Sequence, residues 1–271
     1  MKARISVLHA THHREAGPLA VKERWLAAAE QPGFIDYVFA MDGDDVESIR
    51  RTEGHNRIVG SIEPRVTAVR NWNNAATLAT GELLVVIADD LLPSEGWDTQ
   101  LRNVIGGLDP LRTAFAVKIR DSDRADGVLL RHPVISRAFY EAHGLFNPKY
   151  RGVYCDNDIT LRAFWRAAVL DGRSVVFVHE HPFGDDLVQS SVSQTRINTD
   201  REYEHGRQVF ESEWSERQRA ASVRLIQSAS LAGRDARLLR VHAARSRMRA
   251  SLVYVLRLWR NNFRSILPVR V

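Results

Sequence analysis

Apolar positions along this chain come first as short unbroken runs and then, near its end, as one helical stripe. Leu83, Leu84, Val85, Val86 and Ile87 follow one another without a polar break, as a strand buried on both faces of a sheet requires. Runs at 4–8, 36–41, 57–60, 83–88, 114–119 and 175–179 predict strands. Amphipathic stretches at 18–30, 44–53 and 69–80 predict helices between them, and a further helix is expected to start at Pro93-Ser94-Glu95. Strands alternating with helices specify an α/β fold, a mostly parallel sheet covered on both faces. Ligands bind such sheets beyond the carboxyl ends of the strands. That rule selects the loops after Leu8, Met41 and Ala88, which read ATHHRE, DGDD and DDLLP.

Residues 183–215 are polar and read as a loop or flap until Tyr203. From about Glu204 to Leu267 the pattern turns helical, with Leu238, Val241, Met248, Leu252, Val255 and Trp259 forming one apolar stripe among arginines. Charge divides the chain in the same way. Residues 217–271 hold 13 arginines and one acid, a tail of +12, while the remainder carries −7. The expected organisation is therefore a domain over 1–210 and a basic amphipathic helical region over 211–271. An apolar stripe predicts packing on the domain or on a second subunit, as in a homodimer. Peripheral contact with an anionic membrane and binding to nucleic-acid phosphates follow in that order.

The 271 residues are 44% hydrophobic and 26% charged, ordinary for a folded soluble protein. The single Cys155 excludes an intrachain disulfide and a cysteine zinc cluster, and fits a cytoplasmic setting. The N-terminus does not read as a signal peptide, and no apolar run approaches the length of a membrane span. Neither G-x-G-x-x-G nor G-x-x-x-x-G-K-[ST] occurs, which disfavours a standard dinucleotide fold and a P-loop nucleotidase.

Three constellations carry candidate chemistry. Asp89 and Asp90 end a buried strand, where adjacent like charges repel unless they form a solvated turn or meet a cation. Mg²⁺ or a similar hard ion takes carboxylate oxygens and bridges to substrate phosphates. Asp156 and Asp158 introduce an aromatic-rich helix in VYCDNDITLRAFW, where one carboxylate suffices as a cap and the other could serve as a general base. His179 and His181 end an apolar strand and point the same way in extended chain, a geometry suited to one metal. The other histidine pair, His12 and His13, reads differently. Neighbours in extended chain face opposite sides, so one is expected to line a pocket and the other to be exposed.

The run AVRNWNNAATLATGELLVVIADDLLPSEGWD, with CDNDITLRA downstream, resembles the signature of family 2-type glycosyltransferases with the GT-A fold. It has the Asn-bearing helix ending in A-x-G-[ED], the strand that finishes on an acidic metal motif, and the segment of the E-D-x-[DE]-L-x-x-R type. The resemblance covers residues 3–182. It implies a Rossmann-like, mostly parallel mixed sheet with helices on both faces, followed here by a C-terminal helical extension. Thr11, Arg14, Asp42, Asn73 and Asp89 would then lie on the side of a nucleoside diphosphate sugar, with Asp89 either touching the nucleotide or supporting residues that do. Asp90 would hold a divalent metal, Mn²⁺ or Mg²⁺, with His179 or His181 completing the site. Asp156 would be the catalytic base of an inverting transfer to an acceptor hydroxyl on a glycan, a lipid-linked glycan, a protein or a nucleic acid. Arg131, His132 and Asp158 would face that acceptor, with packing an equal alternative for Phe139 and Tyr140.

Two positions depart from the family pattern. Ala88 stands where the metal motif usually begins with an acid. Cys155 replaces the acid before the catalytic Asp and so removes a neighbour that would raise the pKa of Asp156. Two other functions share these residues: a catalytically idle nucleotide-sugar-binding protein, which Ala88 favours, and a metal-dependent hydrolase or nucleotidyltransferase.

Overall fold

The unbroken apolar run becomes β4 (Leu83–Ile87), every residue of which is buried. It lies near the middle of an eight-stranded sheet of order β3-β2-β1-β4-β7-β6-β8-β5. The other strands are β1 (Ile5–Thr11), β2 (Ile35–Met41), β3 (Arg57–Val59), β5 (Leu91–Pro93), β6 (Phe115–Arg120), β7 (Val134–Ser136) and β8 (Ala168–His179). The computed structural model describes residues 3–13, 16–62, 67–121, 129–179 and 199–232.

β1 pairs in parallel with both β2 and β4, and β2 with β3. Ile5 sits opposite both Ile35 and Leu83, so three strands begin level and bring their carboxyl ends to one rim. β7 runs antiparallel to β4 and β6. β8 pairs first in parallel with β6, and its end then pairs antiparallel with β5, where Leu91 lies opposite His179. That last pairing brings the far end of the sheet back to the tip of β4.

Helices cover both faces. α1 (Pro18–Ala27) and α4 (Trp97–Ile105) supply Val21, Trp25, Trp97 and Leu101 to one core. α3 (Ala68–Leu78), α5 (Arg137–His143) and α6 (Cys155–Arg166) supply Val69, Ala75, Phe139 and Ile159 to the other. The short α2 (Val46–Arg51) follows β2 and is capped by Asp45. The buried indoles are satisfied, since Trp25 Nε1 donates to the Leu91 carbonyl and Trp97 Nε1 to the Trp25 carbonyl. Phe139 is fully buried, which supports the packing alternative for it.

The glycine of the A-x-G-E turn has a steric cause. A Cβ on Gly81 would lie 2.4 Å from the backbone nitrogen of Ser6, because the turn presses against the start of β1. Gly81 N–H donates to Ser6 Oγ, and Arg137 donates to the Gly81 and Ala79 carbonyls.

Two expected boundaries move. Residues 93–95 do not start a helix: Pro93 ends β5, where the missing N–H is tolerated on a sheet edge, and α4 begins at Trp97. The polar segment expected to be a loop up to Tyr203 becomes helical at Asp200. Thr199 caps α7 (Asp200–Glu213) by accepting from the Glu202 N–H.

The expected division at 210/211 therefore lies inside α7. Beyond it, Trp214 and α8 (Glu216–Ala232) continue on the same domain. Trp214 is 5% exposed and donates to Asp158, and Trp165 Nε1 donates to Ser222 Oγ. The stripe from Leu238 to Trp259 lies outside the described residues. Among the described residues, no helix is long and apolar enough to cross a membrane.

Asp98 is the polar tie between α1 and α4. Its carboxylate, fully buried, accepts from the Glu30 and Gln31 N–H groups and from Arg102. Removing it leaves a largely buried guanidinium and two backbone donors without their acceptor. Asp98→Ala is expected to cost about 3–5 kcal/mol, read as a lower urea midpoint with an unchanged slope.

Candidate active site

Asp89 and Asp90 point to different partners, which resolves the repulsive pair at the end of β4. The His9 imidazole is fully buried. Its Nε2 lies 2.9 Å from Asp89 Oδ1, and Tyr37 Oη lies 2.9 Å from its Nδ1. The arrangement that satisfies all three has Tyr37 donating to Nδ1 and Nε2–H donating to Asp89. Burial raises the Tyr37 hydroxyl well above its ordinary pKa, with the Asp89 charge adding to it, so it stays a donor. Asp89 Oδ2 also accepts from the His12 N–H at 3.4 Å. Its contacts are thus with His9 of β1 and with His12 just beyond the end of β1.

Asp42, 4% exposed at the tip of β2, is positioned from α3. Asn71 Nδ2 donates to its Oδ1 at 2.6 Å, and His12 Nε2 lies 3.8 Å from its Oδ2. Thr11 Oγ1 and Asn71 Oδ1 are buried beside these groups and have no hydrogen-bond partner among the described residues. Buried polar atoms are rarely left so, and a polar ligand would satisfy them. Asn71 was not among the expected residues. The one legible signal for it was its spacing, two positions before Asn73 on the same predicted helix. Asn73 itself has a different job. Its amide donates to the Phe146 carbonyl and accepts from the Phe146 N–H, which fastens the loop before α6 to α3.

Asp90 faces the end of β8. His179 Nδ1 lies 3.4 Å from Asp90 Oδ2. Burial opposes charge on Asp90, yet the His179 hydrogen bond and the charges of His179 and His132 outweigh it, holding the pKa below the ordinary carboxylate value. A carboxylate oxygen and an imidazole nitrogen at this separation suit neighbouring ligands of one ion. An octahedral Mg²⁺ or Mn²⁺ with bonds of about 2.1 Å places adjacent ligands roughly 3 Å apart. His181 and Arg14, expected in the metal and nucleotide sets, lie outside the described residues.

A polar chain continues from this point. The His179 and His132 rings lie 5.3 Å apart, His132 Nδ1 is 3.4 Å from Asp121 Oδ2, and Lys118 Nζ donates to Asp121 Oδ1 at 3.0 Å. Burial would raise the Asp121 pKa, but His132 and Lys118 more than reverse this and hold it well below the usual range. Asp121 in turn reaches electrostatically to Asp156. Neither Asp121 nor Lys118 was expected from the sequence: Lys118 lies within an apolar run, and Asp121 opens the charged stretch DSDRAD, which matches no motif.

Asp156 sits in the first turn of α6. Desolvation by the surrounding protein raises its pKa; Arg131 and two backbone N–H groups oppose this, and the Asp121 charge adds to it. Burial is the dominant cause of the rise, and the Asp121 charge is a minor addition to it. Cys155 itself is a buried thiol, pushed further from ionisation by that burial. The residue before it, Tyr154, takes a left-handed backbone (φ 70°), which is uncommon for a non-glycine and clusters at functional sites. Gly206 of α7 packs against it, since a Cβ there would lie 2.7 Å from the Val153 carbonyl.

The acceptor expectation divides. Arg131 does face Asp156 electrostatically. His132 is only 8% exposed and turned to Asp121 and His179, on the Asp90 side of the site. Asp158 is corrected outright. It is 2% exposed, and its oxygens are engaged by Arg162 Nε at 2.7 Å and Trp214 Nε1 at 2.9 Å. Arg162 also donates to the His143 and Leu145 carbonyls, so this carboxylate holds α6 in place and does not meet an acceptor.

One of the two histidines is tucked in and the other exposed, as expected, at 10% for the His12 side chain and 51% for His13, but their rings are not on opposite sides. His13 adopts φ 50°, which turns the two rings together, with centroids 4.1 Å apart. Among the described residues, His12, His13 and Asp44 are the one group of three with ligand atoms close enough to share an ion.

No family model matches the chain, and no curated relative matches its sequence. Solved structures do match in shape. TarS of S. aureus, residues 1–349 with UDP-GlcNAc, superposes with a TM-score of 0.55 at 11% identity over 85% of this chain and 73% of that one. The same protein with UDP gives 0.50 at 11% identity over 65% and 60%. A mannosyltransferase from Pyrobaculum calidifontis with GDP-Man and Mn²⁺ gives 0.50 at 18% identity over 68% and 59%. In the TarS–UDP and mannosyltransferase matches the chain spans about 60% of the other protein's length. The fold is GT-A, as the sequence implied.

The Tyr37–His9–Asp89 chain predicts strong coupling among its members. His9→Leu leaves a buried phenol and a carboxylate without their partner and is expected to cost about 2–3 kcal/mol. The check is the urea midpoint against that of wild type; no change would show that the imidazole does not tie the two groups together.

Proposed function

We propose that this chain is a metal-dependent inverting glycosyltransferase, moving a sugar from a nucleoside diphosphate sugar to an acceptor hydroxyl. One observation carries the reading: two carboxylates of a chain with the GT-A fold are tuned in opposite directions. Asp90 is kept ionised beside His179, and Asp156 is pushed towards protonation. Opposite tuning of two carboxyls is how an active site assigns a charge-bearing role and a proton-transfer role. A protein that only binds a nucleotide sugar needs the first and has no use for the second.

Asp42, with Asn71 behind it and Thr11 beside it, would take the polar edge of the nucleotide. The donors bound by the similarly folded proteins, UDP-GlcNAc and GDP-Man, support a diphosphate nucleotide. A divalent ion, Mn²⁺ or Mg²⁺, held by Asp90 and His179 would supply Lewis-acid stabilisation to the departing diphosphate. Asp156 takes the proton from the acceptor O–H as that oxygen forms a bond to the anomeric carbon. The bond from that carbon to the diphosphate oxygen breaks on the opposite face, and the anomeric configuration inverts. Its raised pKa makes the ionised Asp156 a better proton acceptor than an ordinary aspartate. Arg131, beside it, opposes its protonation and offers donors to the acceptor.

Asp156→Asn is expected to lower kcat at least about 100-fold with little change in donor affinity. Wild-type turnover in that variant would remove Asp156 from the mechanism. For the wild type, a base whose pKa lies above the ordinary aspartate value loses activity as the pH falls through that raised pKa. The acid limb of kcat/KM should therefore lie above about pH 4 and be absent from the residual activity of Asp156→Asn. With Mn²⁺ present, a donor at 100 times its Kd should stabilise the fold by about 2.7 kcal/mol, seen as a Tm rise of several degrees. No response to any UDP- or GDP-sugar would overturn the reading.

A further inference from the structure

We propose that His12, His13 and Asp44 form a second metal site, selective for a divalent first-row transition ion of the zinc and cobalt type and separate from Asp90 and His179. Each of the three residues offers one ligand atom, and these atoms lie within 4.8 Å of one another. His12 Nε2 is 3.3 Å from Asp44 Oδ1. A tetrahedral ion with bonds of about 2.05 Å needs ligand atoms roughly 3.4 Å apart. The His12–Asp44 edge is already at that spacing, and only His13 must close in.

That movement is open to it. The His13 side chain is 51% exposed and Asp44 40% exposed, so side-chain rotation suffices and the core is not disturbed. The residue behind His13 is also arranged for ligation. Asp45, 1% exposed, accepts from the His13 N–H and lies 3.5 Å from His13 Nδ1. A carboxylate on one ring nitrogen orients an imidazole and makes the other nitrogen a stronger donor, which leaves Nε2 for the ion. Asp45 itself is held by the Ser48 N–H at the start of α2, so this support is rigid. The fourth position of a tetrahedral ion would be left to water.

Donor chemistry decides the class of ion. Two imidazoles and a carboxylate suit zinc, cobalt, nickel or iron, whereas Mg²⁺ prefers oxygen ligands and retained water. The pair at Asp90 and His179 has one imidazole, so the two sites should separate by metal. The proposal does not depend on the glycosyltransferase reading, since it concerns binding alone.

The test uses the full-length chain, untagged and freed of metal, titrated with Co²⁺ and followed by visible absorption. A double variant, Asp90→Ala with His179→Ala, removes the other candidate ligands. The expected result is one Co²⁺ per chain with absorption bands of nitrogen ligation, retained in that double variant and resistant to excess Mg²⁺. In an otherwise wild-type chain, His13→Ala should weaken this binding by more than about tenfold; the His13 side chain is exposed, and circular dichroism checks that the fold is kept. Co²⁺ binding that survives His13→Ala unchanged, binding lost only in the Asp90/His179 variant, or no binding at all would each overturn the site.

Discussion

The candidate site rests on a polar chain sealed inside the sheet. Tyr37 of β2, His9 of β1 and Asp89 after β4 are joined by hydrogen bonds of 2.9 Å, and the imidazole between the other two is fully buried. In a parallel sheet, backbone pairing sets register along the strands but does not fix the loops beyond them. The side-chain chain does so here, because an imidazole without partners in an apolar interior would cost several kcal/mol. With Asp89 drawn inward, Asp90 must face the other way, towards β8. The separation of two adjacent acids into one that holds structure and one that faces His179 therefore follows from satisfying a single buried histidine.

A second constraint concerns the charge around Asp156. Family 2-type enzymes resemble this chain around its candidate base, but the acid expected before it is here Cys155. A pKa responds to the field at the carboxyl, whatever part of the chain that field comes from. Asp121 stands at the end of β6, held ionised by Lys118 and His132, and raises Asp156 from across the site. With Cys155 carrying no charge, burial of the Asp156 carboxyl is the main cause of its raised pKa, and Asp121 adds a smaller repulsion.

Much of this was legible in the chain as a string of residues. Long apolar runs gave six strands, and the order of Gly81, Asp90 and Asp156 gave the GT-A fold, because that order reflects topology. What the string concealed has physical reasons. β5 and β7 have three residues each, too few for a period-two pattern to stand out, and Pro93 read as a helix start when it ends an edge strand. Asn73 and Asp158 carried the right residue types for ligand contact. Their contacts depend on the loop at 145–146 and on Trp214, far away in sequence. His12 and His13 were read as opposed because extended geometry was assumed, and one left-handed residue turned them together.

Ala88 is the remaining departure, and the geometry around Asp90 limits what it can mean. With an alanine at the head of the motif and Asp89 engaged by His9, an ion at Asp90 would meet one carboxylate and one imidazole from the described residues. A site of that composition offers less negative charge than a cluster of acids, so less of the ion's affinity comes from the protein. The diphosphate oxygens of a bound donor would have to provide the rest, which makes ion and donor binding strongly cooperative by linkage. An imidazole ligand also shifts preference from Mg²⁺ towards later transition ions, Mn²⁺ being the first of that series. On the proposed reading, a missing acid at the end of β4 would leave metal chemistry in place but tie it to the presence of the donor.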